Sequence, residues 1–170
     1  MITEEVKVYT SNILQILGHN IQRIREKKQL SYLDIAKLSN YDRQYIATLE
    51  LGKKDIQLST AIRISSSLNV PLSKLFTRTL DIDSDMIREG YTGDDFLLIF
   101  SSNVRKYLKS SGKKEIHIYM ETGMDPAVIN RILNKKTTNP RISSLSKIAF
   151  GVGVELNTLL SRSEGGKYDI

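Results

Sequence analysis

An internal repeat constrains this chain of 170 residues more than any other feature of its sequence. Shifted by 83 positions, residues 11–53 fall on a second segment with the same apolar and capping pattern, and an inserted residue at 137–139 then changes the shift to 84. The coinciding pairs include Ile13 and Phe96, Ile21 and Val104, Ile35 and Ile118, Asp42 and Asp125, Ile46 and Ile129, and Ser59 and Ser143. Two unrelated bundles would share a few of these steps, but not the same helices with the same caps. The sequence therefore predicts two tandem copies of one five-helix domain.

Helical periodicity dominates both halves, because apolar residues recur every three or four positions. The first stripe is Ile13, Ile16, Leu17, Ile21 and Ile24. Thr10 or Ser11 is the N-cap expected for this helix, because a side-chain oxygen can accept a bond from a free backbone N–H there. Strand-like alternation is confined to Val6–Tyr9, which is too short to predict a strand. The predicted fold class is therefore all-α.

Charge divides the chain into blocks. Residues 17–76 and residues 95–160 each hold ten basic and five acidic side chains, whereas residues 77–94 hold two basic and five acidic ones. The predicted organisation is an N-terminal segment (1–10), a first domain (11–76), an acidic linker (77–94), a second domain (95–160) and a tail (161–170). The net charge of +6 favours a polyanionic partner such as nucleic acid.

Several classes of protein are excluded or disfavoured. The chain has no cysteine, which excludes disulfides, zinc fingers and a thiol nucleophile. Its two histidines are His19 and His117, and the carboxylates near His117 do not have the spacing of a metal site. No nucleophile has a recognisable base partner, and no glycine-rich phosphate loop is present, so we expect neither an enzyme nor a cofactor. The absence of a long apolar run and of a secretion signal predicts a cytoplasmic protein without a membrane span.

The segment LSYLDIAKLSNYDRQYIATLELGKK, continued by LSTAIRISSSLNVPLSKLF, resembles the helix-turn-helix domain of the lambda-repressor/Cro-like (XRE) family. The resemblance covers residues 17–76. Ala36 stands where the family has a small residue at the crossing of helices 2 and 3, and Ser39-Asn40-Tyr41 occupies the turn between them. The resemblance also implies a buried or half-buried ion pair between Arg25 and Glu50.

The second half, KKEIHIYMETGMDPAVINRILNKK and its continuation, is a weaker match to the same family. It keeps the turn and the Asp125 cap. Tyr119 replaces Ala36, which places a bulky side chain at the expected helix crossing, and Leu108 and Leu133 replace the ion pair. Replacement of a buried ion pair by two apolar residues can preserve a core. Three roles stay open for this half, namely contact with DNA, dimerisation and binding of a protein partner.

The resemblance implies that the start of the third helix enters the major groove of double-stranded DNA. The implied DNA-binding set is Tyr32, Arg43, Gln44, Ala47, Thr48, Lys53 and Lys54. Arg43 suits guanine and Gln44 suits adenine, whereas the two lysines suit phosphates. The alternative is that these side chains are ordinary solvent-facing residues.

In the second half the corresponding surface is basic as well. Its candidate contacts to DNA or to a partner are Lys113, Lys114, Asn130, Arg131, Lys135, Lys136 and Arg141. Asn130 and Arg131 can read bases, and the other side chains can bind phosphates. The alternative is a surface that binds protein.

Together these features predict a sequence-specific regulator of transcription from a bacterium, phage or mobile element, acting as a repressor by occluding a promoter. The family commonly binds paired half-sites as a homodimer, and the two halves of this chain can also act as a covalent pseudo-dimer. Three alternative functions remain. They are an autorepressor fused to an inhibitor of another protein, as in certain anti-CRISPR proteins, an antitoxin, and a restriction–modification controller.

Overall fold

The structure is a computed structural model that describes residues 1–79, 81–82 and 86–162. Its elements are α1 (Glu4–Lys27), α2 (Tyr32–Ser39), α3 (Arg43–Glu50), α4 (Leu58–Leu68), a 3-10 helix (Leu72–Phe76), α5 (Gly93–Ser110), α6 (Glu115–Thr122), α7 (Pro126–Leu133), α8 (Ile142–Val152) and α9 (Leu156–Leu159). Within the described ranges the only β pairing is an isolated antiparallel bridge between Gln57 and Arg141. The all-α prediction is confirmed. None of the described helices is long and apolar enough to cross a membrane.

The first helix begins earlier than the sequence predicts. The expected cap at Thr10 or Ser11 is wrong, because Thr3 caps α1 and its hydroxyl accepts a bond from the backbone N–H of Val6. Val6 is fully buried. It continues the apolar stripe of α1 about two helical turns before Ile13, so the alternation at residues 6–9 belongs to a helix. Residues 4–10 are therefore part of the first helix rather than a separate segment.

Part of the predicted acidic linker (77–94) belongs to α5 or contacts the first half, so the segment that separates the halves is shorter than expected. α5 begins at Gly93, where Thr92 and Asp95 exchange capping bonds of 3.2 and 2.9 Å. The backbone N–H of Arg88 donates to the side chain of Asn69, so the linker contacts the first half. Residues 80 and 83–85 of the linker and residues 163–170 of the predicted tail lie outside the described residues.

The core of the first half is built on α1. In the apolar stripe of α1, Ile13, Leu17, Ile21 and Ile24 are buried, and Ile16 is half-buried. Between these residues, the Asn20 amide donates to three carbonyls at the end of the 3-10 helix, those of residues 74, 75 and 77, at 3.2, 3.1 and 2.8 Å. Free carbonyls at a helix end need such partners when they are buried. Asn103 of α5 makes the same set of bonds to the carbonyls of residues 158, 159 and 161.

The turn between α2 and α3 adopts the geometry that its residues predict. Asn40 lies in the left-handed region with φ of 60°, which Asn tolerates better than most side chains. The Ser39 hydroxyl donates back to the carbonyl of Ile35 and accepts from the N–H of Tyr41. Asp42 caps α3 by accepting from the N–H of Gln44 at 2.7 Å. These local bonds set the direction in which α3 leaves α2.

A close approach of backbones holds α3 against α1. A Cβ atom at Gly18 of α1 would lie 2.7 Å from the Cα of Gly52 and from the carbonyl oxygen of Leu49. Real Cβ atoms do not approach so closely, so only glycine fits position 18. Gly52 also has φ of 74° where the chain leaves α3. The role of Gly18 is absent from the sequence prediction, because nothing local shows that its neighbour is another helix.

The ion pair expected between Arg25 and Glu50 joins the end of α1 to the end of α3. Arg25 Nε lies 2.6 Å from Glu50 Oε2 and Arg25 Nη2 lies 3.1 Å from Oε1, so the contact is bidentate. The two side chains are 13% and 5% exposed. The hydrogen bond to Glu50 raises the pKa of Arg25. Leu108 and Leu133, which replace the pair in the second half, are both buried.

The two halves dock directly. α1 packs against α8, and the 3-10 helix packs against α9. Where the chain enters α4 and α8, the segments 55–59 and 139–143 run antiparallel through the Gln57–Arg141 bridge. We call these two segments the seam.

Removal of one partner of the buried ion pair should destabilise the protein strongly. Among the described residues, Glu50→Leu leaves the buried Arg25 guanidinium with only the Leu30 carbonyl and the exposed Glu26 carboxylate, 3.9 Å away, and we expect a loss of about 3–5 kcal/mol in the free energy of unfolding. The double variant Arg25→Leu/Glu50→Leu should lose less than either single variant. Urea titration measures these losses. The control is Glu115→Leu, which removes a half-exposed partner of Arg105 and should cost below about 1 kcal/mol. A Glu50→Leu variant as stable as its parent would contradict the expectation.

The seam should contribute to the stability of the whole chain. The Asp55 carboxylate accepts from the backbone N–H and the hydroxyl of Ser143 at 3.1 and 2.5 Å. Asp55→Ala should cost about 1–3 kcal/mol, because it leaves both donors without a partner. A double-mutant cycle with Ser143→Ala should give a coupling above about 0.5 kcal/mol. In the control Ser144→Ala, the deleted hydroxyl makes no hydrogen bond within the described residues. Strict additivity of the two variants would rule out the coupling.

Candidate nucleic-acid interface

A groove opens between the first turns of α2 and α3. It is lined by Ser31, Tyr32, Leu33, Arg43, Gln44 and Ala47. A capping box at the start of α2 and the Asp42 cap of α3 fix both helix starts. The groove therefore lies between two helix starts whose backbones are held by caps.

The predicted base-reading residues point outward from α3. Ile46 and Leu49 are buried against the core, which turns Arg43, Gln44 and Thr48 to the exposed face. Within the described residues, the side chains of Arg43 and Gln44 have no hydrogen-bond partner. Their donors and acceptors are therefore available to a ligand in the groove.

Two members of the predicted set are engaged within the protein itself. The Thr48 hydroxyl donates to the backbone carbonyl of Gln44 at 2.9 Å, which leaves its methyl group and lone pairs outward. The Tyr32 hydroxyl donates to Glu50 Oε1 at 3.1 Å, and the Arg25 guanidinium lies 4.3 Å from its ring centroid. Desolvation of the phenol, and then its bond to Glu50, raise the pKa of Tyr32. A bond from Tyr32 to phosphate would have to replace the bond to Glu50.

Lys53 and Lys54 leave the end of α3 on exposed chain. Lys54 Nζ lies 5.7 Å from the ring centroid of Tyr45. Lys53 lines a surface depression across the seam together with Lys7 of α1 and Lys147 of α8. Sequence reasoning missed Lys7, because residues 1–10 are predicted to form a separate segment before the first helix, and Lys147, because only the docking of the halves brings α8 beside the α3–α4 loop.

A second groove occupies the corresponding place between α6 and α7. It is lined by Glu115, Ile116, Pro126, Ala127, Ile129 and Asn130. Pro126 and Ala127 stand where the first groove has Arg43 and Gln44, so the side chains at the first turn cannot read bases by hydrogen bonds. Asn130 is exposed one turn further along α7. The second groove therefore lies at the same place in the repeat, but its polar side chain stands one turn further along the helix.

The expectation that Tyr119 lies in the crossing of α6 and α7 is wrong. Its side chain is 41% exposed and stands with Ile116 and Met120, which are 49% and 68% exposed, on the outer surface of α6. Exposure removes the steric objection to a normal helix-turn-helix geometry in this half.

The remaining basic candidates of the second half are exposed. They are Lys113, Lys114, Arg131, Lys135, Lys136 and Arg141. In the part of the chain that the structure describes, none of them forms an ion pair with a carboxylate. Arg141 lies in the seam opposite Gln57. Among the described residues no group of three or more His, Asp or Glu side chains is arranged to hold a metal ion.

Comparison with known proteins agrees with the geometry of the first half. The sequence pattern of the helix-turn-helix family matches residues 21–75. The chain is 34% identical to control protein C.SmaI of Serratia marcescens over 67 residues, which are 39% of this chain and 80% of that protein. It is 34% identical to control protein C.MunI of a Mycoplasma species over 61 residues, 35% of this chain and 82% of that protein. No solved structure matches the chain. The chain belongs to the helix-turn-helix family of DNA-binding transcriptional regulators, through the domain at residues 21–75.

Proposed function

We propose that this protein binds double-stranded DNA at specific sequences through α3 and represses transcription by occluding a promoter. The observation that carries the proposal is the pair Arg43 and Gln44, which are exposed at the start of α3 beside the groove and whose side chains have no hydrogen-bond partner among the described residues. Both helix starts are capped, so the two side chains project from a rigid backbone. A major groove of B-DNA admits such a helix.

The chemistry of α3 suits base edges. The Gln44 amide can donate to and accept from adenine, and the Arg43 guanidinium can donate twice to guanine. Ala47 and the Thr48 methyl group offer apolar contacts to the methyl group of thymine. Lys53 and Lys54 then suit the phosphates that flank the reading helix.

We also propose that residues 95–160 are a divergent second copy of the first domain. The support is a set of bonds that recur at the repeat spacing. Asn20 and Asn103 cap the last short helix of their halves in the same way, and Asp42 and Asp125 cap α3 and α7. The helix lengths agree too, with eight, eight and eleven residues in α2–α4 and again in α6–α8.

Among the alternative functions, the relatives favour one. Both are named control proteins, which supports a controller of gene expression, including a restriction–modification controller, over an antitoxin. One observation favours a protein partner for the second half, namely the exposed apolar side chains Ile116, Tyr119 and Met120 on α6. Homodimer formation stays a prediction.

Gln44→Ala should weaken binding to the cognate site selectively. We expect a loss of about 1–3 kcal/mol and a relaxed base preference at one position, because one bidentate contact is removed. Fluorescence anisotropy with a selected duplex and a random duplex measures both affinities. The control is Gln22→Ala, which removes the same side chain from the exposed surface of α1. An equal loss on both duplexes would refute base reading by Gln44.

Lys53 and Lys54, which follow α3, should strengthen binding to DNA of every sequence equally. For Lys53→Ala/Lys54→Ala, we expect weaker binding and a slope of log affinity against log salt that is shallower by roughly 0.9 for each phosphate that is no longer neutralised. Base preference should not change. Lys37→Ala, which removes one exposed positive charge from α2, serves as the control and should leave the slope unaltered. An unchanged slope in the double variant would remove these lysines from the interface.

A further inference from the structure

The seam has a reciprocal hydrogen-bond pattern. The backbone N–H of Ile142 donates to the carbonyl of Ile56 at 2.7 Å, and the N–H of Leu58 donates to the carbonyl of Pro140 at 2.8 Å. The repeat spacing of 84 maps residues 56 and 58 onto residues 140 and 142. Each of these bonds therefore becomes the other when the two halves are exchanged. Gln57 and Arg141, at the centre, are exchanged with each other.

The side chains of the seam follow the same rule. Asp55 accepts from the backbone N–H and hydroxyl of Ser143. Asn139, the counterpart of Asp55, accepts from the N–H of Ser59 at 2.9 Å and donates to the Ser59 hydroxyl at 2.8 Å. Ser59 and Ser143 are themselves counterparts. Two copies of one interaction thus flank the central bridge.

Helix packing extends this reciprocity beyond the seam. α1 contacts α8, and their counterparts α5 and α4 also contact each other. The 3-10 helix contacts α9, and these two helices are counterparts of each other in the repeat. Contacts that exchange in this way define the isologous interface of a twofold dimer. Here one chain supplies both sides of it.

We infer that one chain occupies both halves of a single DNA site, and that this site is not a palindrome. The inference rests on the proposed function. A twofold rotation does not change a direction that lies along its axis. If one recognition helix faces the DNA in that direction, its counterpart therefore faces the DNA in the same direction. Duplex DNA has matching local twofold axes, which is why dimers of this motif bind half-sites one helical turn apart.

The segments that join each recognition helix to the seam are long enough for this placement. α3 ends at Glu50, seven residues before Gln57, and α7 ends at Leu133, eight residues before Arg141. Extended chain of these lengths reaches at most about 25 and 29 Å. The two recognition helices can therefore stand on either side of the seam at the roughly 34 Å that separates successive major grooves on one face of DNA.

The two sides would read different bases. The first half offers Arg43 and Gln44, where the second offers Pro126 and Ala127. The second half instead offers Asn130 with Arg131, at the positions of Ala47 and Thr48 in the first. Asn130 suits adenine and Arg131 suits guanine, but both lie one helical turn further along the reading helix. Because its two halves read different bases, a protein of this kind does not prefer a palindromic site.

To test this inference, the full chain is used to select duplexes from a random pool. The stoichiometry of the resulting complex is then measured by sedimentation. We expect one chain of 19.3 kDa for each duplex, a motif without twofold symmetry, and two protected segments about 10 base pairs apart in a hydroxyl-radical footprint. Circular dichroism confirms that each variant used below is folded.

Single substitutions assign each half of the motif. Gln44→Ala should change base preference in one half only, and Asn130→Ala in the other half only, each with a roughly tenfold or larger loss of affinity for the selected duplex. Gln22→Ala and Asn12→Ala remove the same side chains from exposed positions of α1 and should alter neither half.

Two results would overturn the inference and leave the proposed function intact. One is a complex of two chains on a palindromic motif. The other is a single protected segment whose base preference is insensitive to Asn130→Ala and Arg131→Ala. A failure of the full chain to select any motif would instead contradict the proposed function itself.

Discussion

The hydrogen bonds of the seam decide how the two halves of this protein stand relative to each other. They satisfy backbone groups at the starts of α4 and α8, where helix termini leave N–H groups free. Because each half completes the helix start of the other, the halves lock in one relative orientation. The packing of α1 on α8 and of the 3-10 helix on α9 then extends an interface whose geometry the seam has already set.

Within the first half, α1 positions the reading helix by two different means. Backbone contact at Gly18 and Gly52 fixes how closely α3 approaches α1, and the Arg25–Glu50 pair fixes the far end of α3. Tyr32 shares Glu50 with Arg25, which ties the start of α2 to the same point. The groove between α2 and α3 therefore has a nearly rigid shape before any ligand arrives, and binding would cost mainly the rotamer freedom of its exposed side chains.

The two halves differ most where they are exposed. Their cores and caps correspond, and Leu108 and Leu133, which replace the ion pair, are both buried on α5 and α7, which pack together as α1 and α3 do. On the reading helices, by contrast, the polar groups move by one turn. This division follows from packing, because a buried position constrains volume and pairing, whereas an exposed position of a helix tolerates most side chains.

Sequence alone determined the elements whose bonds are local. The cap Asp42, the turn residue Asn40 and the outward set on α3 all depend on neighbours within a few positions, so spacing and residue type suffice to predict them. The start of α1 escaped prediction because a short run such as Val6–Tyr9 fits both a strand and a helix until its buried neighbours are known. Tyr119, Lys7 and Lys147 escaped for a related reason, since their surroundings come from distant chain. Only the tertiary structure decided that the halves meet through residues 55–59 and 139–143, because those bonds join segments about 84 residues apart and leave no periodic trace in either one.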